Sequence, residues 1–451
     1  MAISGPWKIT FDDEGDPDPA AEQELGQQLA DSQVTDLIVF SHGWNNDEAA
    51  ATALYAQWVD LLNAQLGPDR KVGFLGVRWP SQLWRDVTIP DFDPPPGAAP
   101  GAAALTATTT ADAGSPTLSP QQLQDLKTLF PQGAAELDEI ASLLAADPSQ
   151  AKADELLATM QRFNDAVSVK SADGEVAETE RPAMFKEGKT PNEVFGAYAN
   201  ALVASGVDLA GAGAGGGAGV LDQIGRLWHG AKEALRGLSY WQMKNRAGVV
   251  GQRGLGPLIG RITAKDEFKT LRIHLVGHSF GGRVVSFALA GLAPGDPSPV
   301  KSVTLLEGAF SRFAFLDTLP FDATPPKGAL AGQLTRVDGP LTVCFSSYDT
   351  ALSLSYPLAS AAAGQDTAGV ADPLFRYRAI GSLGAYNSTT QFIDQVGTSY
   401  PFTKNTILNI DSSAVVRNGN PPSGAHSDIF HPELAWIVAS AAKLTPDCVD
   451  G

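Results

Sequence analysis

The chain has 451 residues, 43% of them hydrophobic, which is enough for a sizeable core and too apolar for a disordered protein. It carries 32 Lys and Arg against 50 Asp and Glu, and this net charge of −18 excludes the basic footprint that nucleic acid or an anionic membrane surface requires. Its two cysteines, Cys344 and Cys448, exclude a disulfide framework and a zinc site, and Cys344 lies in an apolar run that predicts a small buried hydrophobe.

The first residues have neither a basic stretch nor an apolar h-region, so no signal peptide is expected and the protein reads as cytoplasmic. A short apolar strand at 37–40 leads into Ser41-His42-Gly43-Trp44. An amphipathic helix follows over 48–66, then a second strand at 72–77. Strand, turn, helix, strand is the grammar of a parallel α/β sheet.

Residues 92–235 break that grammar. A Pro/Ala/Gly/Thr-rich linker spans 94–120, and helix-favouring stretches follow at 121–130, 134–146 and 151–167. The stretch 194–220 is mostly Ala and Gly with Asp208 inside it, too weakly hydrophobic for a membrane span. The zone reads as a largely helical insertion, a candidate lid, between core segments 1–91 and 236–451. From 271 the α/β pattern returns, with strands at 271–276, 300–306, 341–345 and 406–410. A helix over 282–292 stops before Pro294 and Gly295, and a last helix spans 432–443 with Pro432 in its first turn.

Between the strand at 271–276 and its helix lies Gly277-His278-Ser279-Phe280-Gly281-Gly282. A serine hydroxyl is a weak nucleophile that needs exposure, a base and a place for the developing oxyanion. A sharp strand-to-helix turn supplies the exposure, and Gly277 and Gly281 stand where a side chain would clash. The N-terminus of the following helix favours negative charge there. Ser279 is therefore the expected nucleophile.

The Phe280 N–H is one expected oxyanion donor. The loop through Gly43 offers Trp44 N–H as the other, while Asn46 or Asp47 caps the next helix. Of six histidines only His426 and His431 follow the serine at a useful distance. His426 sits in a loop before the last helix and is preferred as base. His431 directly precedes Pro432 and is expected to stabilise the helix start. Asp349, after the strand at 341–345, is the preferred acid, with Glu307 after the preceding strand as the rival.

Some patterns carry no chemistry. Gly211, Gly213 and Gly216 match G-x-G-x-x-G but follow no strand, which argues against a dinucleotide cofactor. No histidine and carboxylate cluster has metal spacing. Trp79, Trp84, Trp228, Tyr240 and Trp241 read mainly as core, with an acyl pocket as their other use.

Taken together, the His42-Gly43-Trp44 loop, the Gly277–Gly282 turn, Asp349 and His426 resemble the α/β-hydrolase superfamily, in particular its serine esterases and lipases. The runs 76–81, 243–248 and 356–360 also resemble a group of uncharacterised bacterial hydrolases. The resemblance covers 1–91 and 236–451. It departs from many members in placing the long insertion before the nucleophile strand. It implies an α/β-hydrolase fold, a mostly parallel sheet flanked by helices, and cofactor-free hydrolysis of a small-molecule or lipid-like ester. Rival readings are an acyltransferase, a lipase, and a non-catalytic interaction protein on the same scaffold; no motif encodes an oligomeric state.

Overall fold

The computed structural model describes residues 3–44, 46–81, 116–168, 183–185, 188–204, 220–295, 297–321, 326–352, 375, 378–419 and 424–446. Trp84, Gly211–Gly217, the 356–360 run, Cys448 and nearly all of the 94–120 linker lie outside them.

Eight strands build the frame: β1 (Ser4–Thr10), β2 (Asp36–Ser41), β3 (Val72–Arg78), β4 (Arg272–His278), β5 (Val300–Leu306), β6 (Leu341–Phe345), β7 (Thr389–Phe392) and β8 (Ile407–Asp411). They form one all-parallel sheet in the order β1-β3-β2-β4-β5-β6-β8-β7. Central strands of such a sheet are covered on both faces, which is why β2, β3 and β6 read as nearly continuous apolar runs. Within them the side chains alternate between two cores. Leu37 and Val39 of β2, Ile273 and Leu275 of β4, and Leu341 and Val343 of β6 face one cluster. Ile38, Phe40, Val276 and Cys344 face the other.

The second cluster is closed by α2 (Glu48–Asn63) and the last helix, α11 (Pro432–Ala441), through Leu54, Tyr55, Trp58, Leu434 and Ile437. Asp47 caps α2 by accepting the Ala50 N–H at 2.8 Å. On the other face lie α1 (Pro19–Ser32), α8 (Gly256–Thr263) and α9 (Phe280–Gly291). A one-residue helical register change, the π-helical turn Val250–Leu255, links α7 (Val220–Val249) to α8 and packs on α9. A single turn, α10 (Ile380–Leu383), lies beside β6.

The insertion supplies α3 (Pro120–Leu129), α4 (Ala134–Ala145), α5 (Gln150–Val167) and α6 (Pro191–Ala204). Ser119 and Gln122 form a reciprocal capping box at the start of α3. Leu126, Phe130, Leu137, Ile140, Leu156 and Phe163 from these helices belong to the same apolar cluster as β2 and β4. Helix α7 runs unbroken across residues 235 and 236, where the sequence places the boundary between insertion and core. Among the described residues no helix is long and apolar enough to cross a membrane.

Candidate active site

Parallel sheets gather loops at the carboxyl ends of their strands, where ligands of open α/β sheets bind. There Trp44 follows β2, Ser279 follows β4, Glu307 follows β5, Asp349 follows β6 and His426 follows β8.

Ser279 occupies the β4–α9 turn with φ 55° and ψ −124°. A non-glycine residue in such a conformation costs about 1–3 kcal/mol and persists only where its surroundings fix it. Here the Ser279 N–H donates to the Leu306 carbonyl at 3.0 Å, and its own carbonyl accepts from Gly282 and Ala309, each at 3.0 Å. The chains around it are in close contact. A Cβ on Gly277 would lie 2.3 Å from the Gly281 carbonyl oxygen, and one on Gly281 would lie 1.9 Å from that of Ser41. A Cβ on Gly43 would stand 2.6 Å from Ser279 Cβ, so the 41–44 loop crosses directly over the serine.

His426 lies in a short turn, Ala425–Ser427, and is buried. Its Nε2 is 2.9 Å from Ser279 Oγ, and its Nδ1 is 2.6 Å from Asp349 Oδ2. Facing a carboxylate, the neutral ring carries its proton on Nδ1 and presents Nε2 as acceptor to the serine hydroxyl. The other oxygen of Asp349 accepts the Leu352 N–H at 2.9 Å. Two further contacts hold these loops together. Asp349 and Gly424 form an antiparallel bridge, and the Ala425 N–H donates to the Tyr348 carbonyl at 3.0 Å. The His278 ring donates from Nε2 to the His426 carbonyl at 2.8 Å.

The two residues expected to hold an oxyanion flank the serine. Phe280 is the first residue of α9, so its N–H has no acceptor four residues earlier within the helix. Trp44 directly follows Gly43. Tyr240 of α7 joins them: its ring lies 4.6 Å from that of Phe280 and 5.3 Å from that of Trp44. Nothing local in the sequence ties Tyr240, a residue of the long α7 helix, to this turn, which is why it reads there mainly as core. Trp228 and Trp241 are buried, as expected for core residues. Trp79 stacks on His42 at 5.6 Å and donates its indole N–H to the His42 carbonyl at 3.1 Å, shaping the loop before Trp44.

The histidine bonded to Ser279 is thus His426. His431 instead bonds Asp428 at 3.0 Å; it is the N-cap residue of α11, where its carbonyl accepts the Ala435 N–H at 3.2 Å while its side chain makes no capping bond. Asp428 in turn accepts the Arg417 and Asn418 N–H groups, which ties down the loop. The carboxylate bonded to the imidazole is Asp349. Glu307 is also buried, with φ 46°, and its carboxyl group is hydrogen-bonded to Asp349. Burial in the first place, and the Asp349 charge in the second, push the Glu307 pKa well above the usual carboxylate range.

Chemically, the row offers a hydroxyl whose proton can pass to an imidazole, with a carboxylate ready to balance the imidazolium. Among the described residues no group of three His, Cys, Asp or Glu side chains is placed to hold a metal. No protein-family model, curated protein or solved structure matches this chain.

Proposed function

We propose that the chain is a serine hydrolase with an α/β-hydrolase core that cleaves carboxylic esters through an acyl-enzyme on Ser279. The observation that carries this reading is the row Ser279 Oγ, His426 Nε2, His426 Nδ1, Asp349 Oδ2, with links of 2.9 and 2.6 Å, mounted on a strained strand-to-helix turn. A structural serine has no use for an unfavourable backbone, a close glycine neighbour and a buried imidazole at once.

In the first half-reaction Ser279 Oγ attacks the ester carbonyl carbon while His426 Nε2 takes the hydroxyl proton. The N–H groups of Phe280 and Trp44 hold the oxyanion, and Asp349 stabilises the imidazolium. Collapse breaks the bond to the alcohol oxygen, which leaves with the proton from His426. In the second half-reaction His426 takes a proton from water as it attacks the acyl carbon. The carboxylic acid departs and the proton returns to Ser279. The aromatic wall of Trp44 and Tyr240 beside this site favours an apolar acyl or alcohol group.

Labelling with a fluorophosphonate, with Ser279→Ala as control, tests the assignment. Labelling of the intact protein that vanishes in the variant, with turnover of some p-nitrophenyl ester, is the expected result. A folded protein that does not react would overturn it and leave the interaction-protein reading. Acyl transfer to an added alcohol, or activity that rises once the substrate aggregates, would identify an acyltransferase or a lipase on the same residues.

A further inference from the structure

Behind the imidazole lie two acidic side chains where one would serve. Asp349 and Glu307 are 0% and 1% exposed, and their carboxyl groups are in hydrogen-bond contact. Two carboxylates cannot both be ionised in such a contact away from water. The surrounding donors decide which one keeps the charge. Asp349 receives the His426 Nδ1–H and the Leu352 N–H, one on each oxygen. The Glu307 carboxyl is approached by one backbone donor, the Ser346 N–H, against the two donors of Asp349, and its Oε2 is buried and reached by no donor among the described residues. The proton therefore belongs to Glu307.

We infer that Glu307 is a neutral carboxylic acid that donates a hydrogen bond to Asp349 and acts through it as a positioning residue for His426. This rests on the reading of Ser279, His426 and Asp349 as a catalytic row. The backbone holds Glu307 in place on three sides. Its N–H donates to the Cys344 carbonyl at 3.1 Å, its φ of 46° turns the chain at the end of β5, and Ser279 is bonded to Leu306 and Ala309 on either side of the Glu307–Gly308 pair. A Cβ on Gly381 of α10 would lie 2.2 Å from the Glu307 carbonyl carbon, so that helix closes over it. The titratable groups facing Glu307 are Asp349 from the loop after β6, Cys344 within β6 and Asp411 at the end of β8. None of these is a cation, so nothing in this set favours ionising Glu307.

The consequence runs through Asp349. A third donor spreads the Asp349 charge and weakens its pull on the imidazole proton. The imidazolium of His426 is then stabilised less than it would be by an Asp349 without this donor. Replacing Glu307 with an apolar residue removes that donor. Asp349 then holds the imidazolium more tightly, and the acid limb of the activity profile moves to higher pH.

The test compares Glu307→Gln and Glu307→Leu with the parent protein. In Glu307→Leu the midpoint of the acid limb of kcat/KM for a p-nitrophenyl ester is expected to rise by about one pH unit, with kcat reduced roughly tenfold and KM nearly constant. Glu307→Gln keeps an N–H donor and is expected to return the limb to its original position. An unchanged profile in the leucine variant, or a glutamine variant that behaves like leucine, would overturn the inference. Infrared spectroscopy reads the proton without any turnover: a protonated-carboxyl band at neutral pH should disappear in Glu307→Gln. Absence of that band in the parent would also overturn the inference, even if the leucine variant did not fold. The proton on Glu307 and the reactivity of Ser279 are thus measured separately, so failure of one is distinguishable from failure of the other.

Discussion

His278 and His426 are joined ring to backbone: Nε2 of the first donates to the carbonyl of the second at 2.8 Å, and the two rings lie 5.0 Å apart. The residue just before Ser279 therefore holds the loop that carries the imidazole bonded to the serine. The distance between serine and imidazole is set by this clamp as well as by their own hydrogen bond. His278→Phe keeps a ring and removes the donor. It is expected to lower kcat by roughly 10- to 100-fold with little change in KM, because the imidazole proposed as base is no longer held in line. Steady-state kinetics check this, and a variant with parental kcat would show that the bridge between Asp349 and Gly424 suffices.

Gly43 touches the serine from the other side. A methyl there would stand 2.6 Å from Ser279 Cβ and 3.1 Å from Oγ, so the 41–44 loop must retreat or the serine must turn. Either movement separates Trp44 from the oxyanion position proposed for its N–H. Gly43→Ala is expected to slow fluorophosphonate labelling of Ser279 by about 100-fold or more. Thermal unfolding measured alongside should show a folded protein, with a loss of about 1–3 kcal/mol from overpacking. Undiminished labelling would remove Trp44 from the site.

How much of this could be read from residue order differs from element to element. Strands such as β5 and β6 show as apolar runs because both faces are buried, and the Ser279 turn shows because its glycines are steric necessities. By contrast β1 is half exposed and contains Gly5 and Pro6, and all four residues of β7 are exposed, so neither has an apolar face to reveal it. Helix α7 carries glycines that lower helix propensity locally. At Gly230 a Cβ would lie 1.9 Å from the Phe195 carbonyl oxygen, so that residue is explained only by the crossing of α6. The place of His278 and of Tyr240 is equally hidden in residue order, which offers Tyr240 an acyl pocket only as a lesser use: their partners come from distant loops and helices, and no local spacing records them.

A second Asp, His and Ser constellation lies at the opposite ends of the strands. His274 donates from Nε2 to Asp36 at 3.0 Å and accepts from the Ser302 hydroxyl at Nδ1 at 2.9 Å. All three are buried, and Thr35 and Arg272 also approach Asp36, so this is a cross-strand brace joining β2, β4 and β5. Burial lowers the His274 pKa, with Asp36 opposing it more weakly. The unfolded chain therefore binds a proton that the folded chain resists. That contribution is present above the unfolded histidine pKa of about 6.5 and is lost as pH falls below it. The urea midpoint should drop between pH 7.5 and pH 5.5, values chosen to bracket that pKa of about 6.5. His274→Gln should be less stable at the upper pH by roughly 1–3 kcal/mol, yet have a flatter slope. A variant with the parental slope would exclude His274 as its source.

Arg246, near the end of α7, ties the insertion to the sheet. Its guanidinium donates to the Leu129 carbonyl of α3 at 3.1 Å and to the Pro80 carbonyl after β3 at 3.3 Å, and it lies 3.6 Å from Asp13. Burial draws its pKa down to about 10, with Asp13 opposing, so it remains a cation at neutral pH. Leu129 ends its helix, where a cation meets the negative pole of the helix dipole. Arg246→Met leaves two carbonyls without this donor and Asp13 without this cation. A loss of about 2–4 kcal/mol is expected, read as a lower urea midpoint in one transition shared by sheet and insertion. Arg246→Lys should recover only part of it, since a single ammonium cannot span the fork between the two carbonyls. If the insertion were a separately hinged flap, the methionine variant would show two transitions and the midpoint of the sheet would stay where it is.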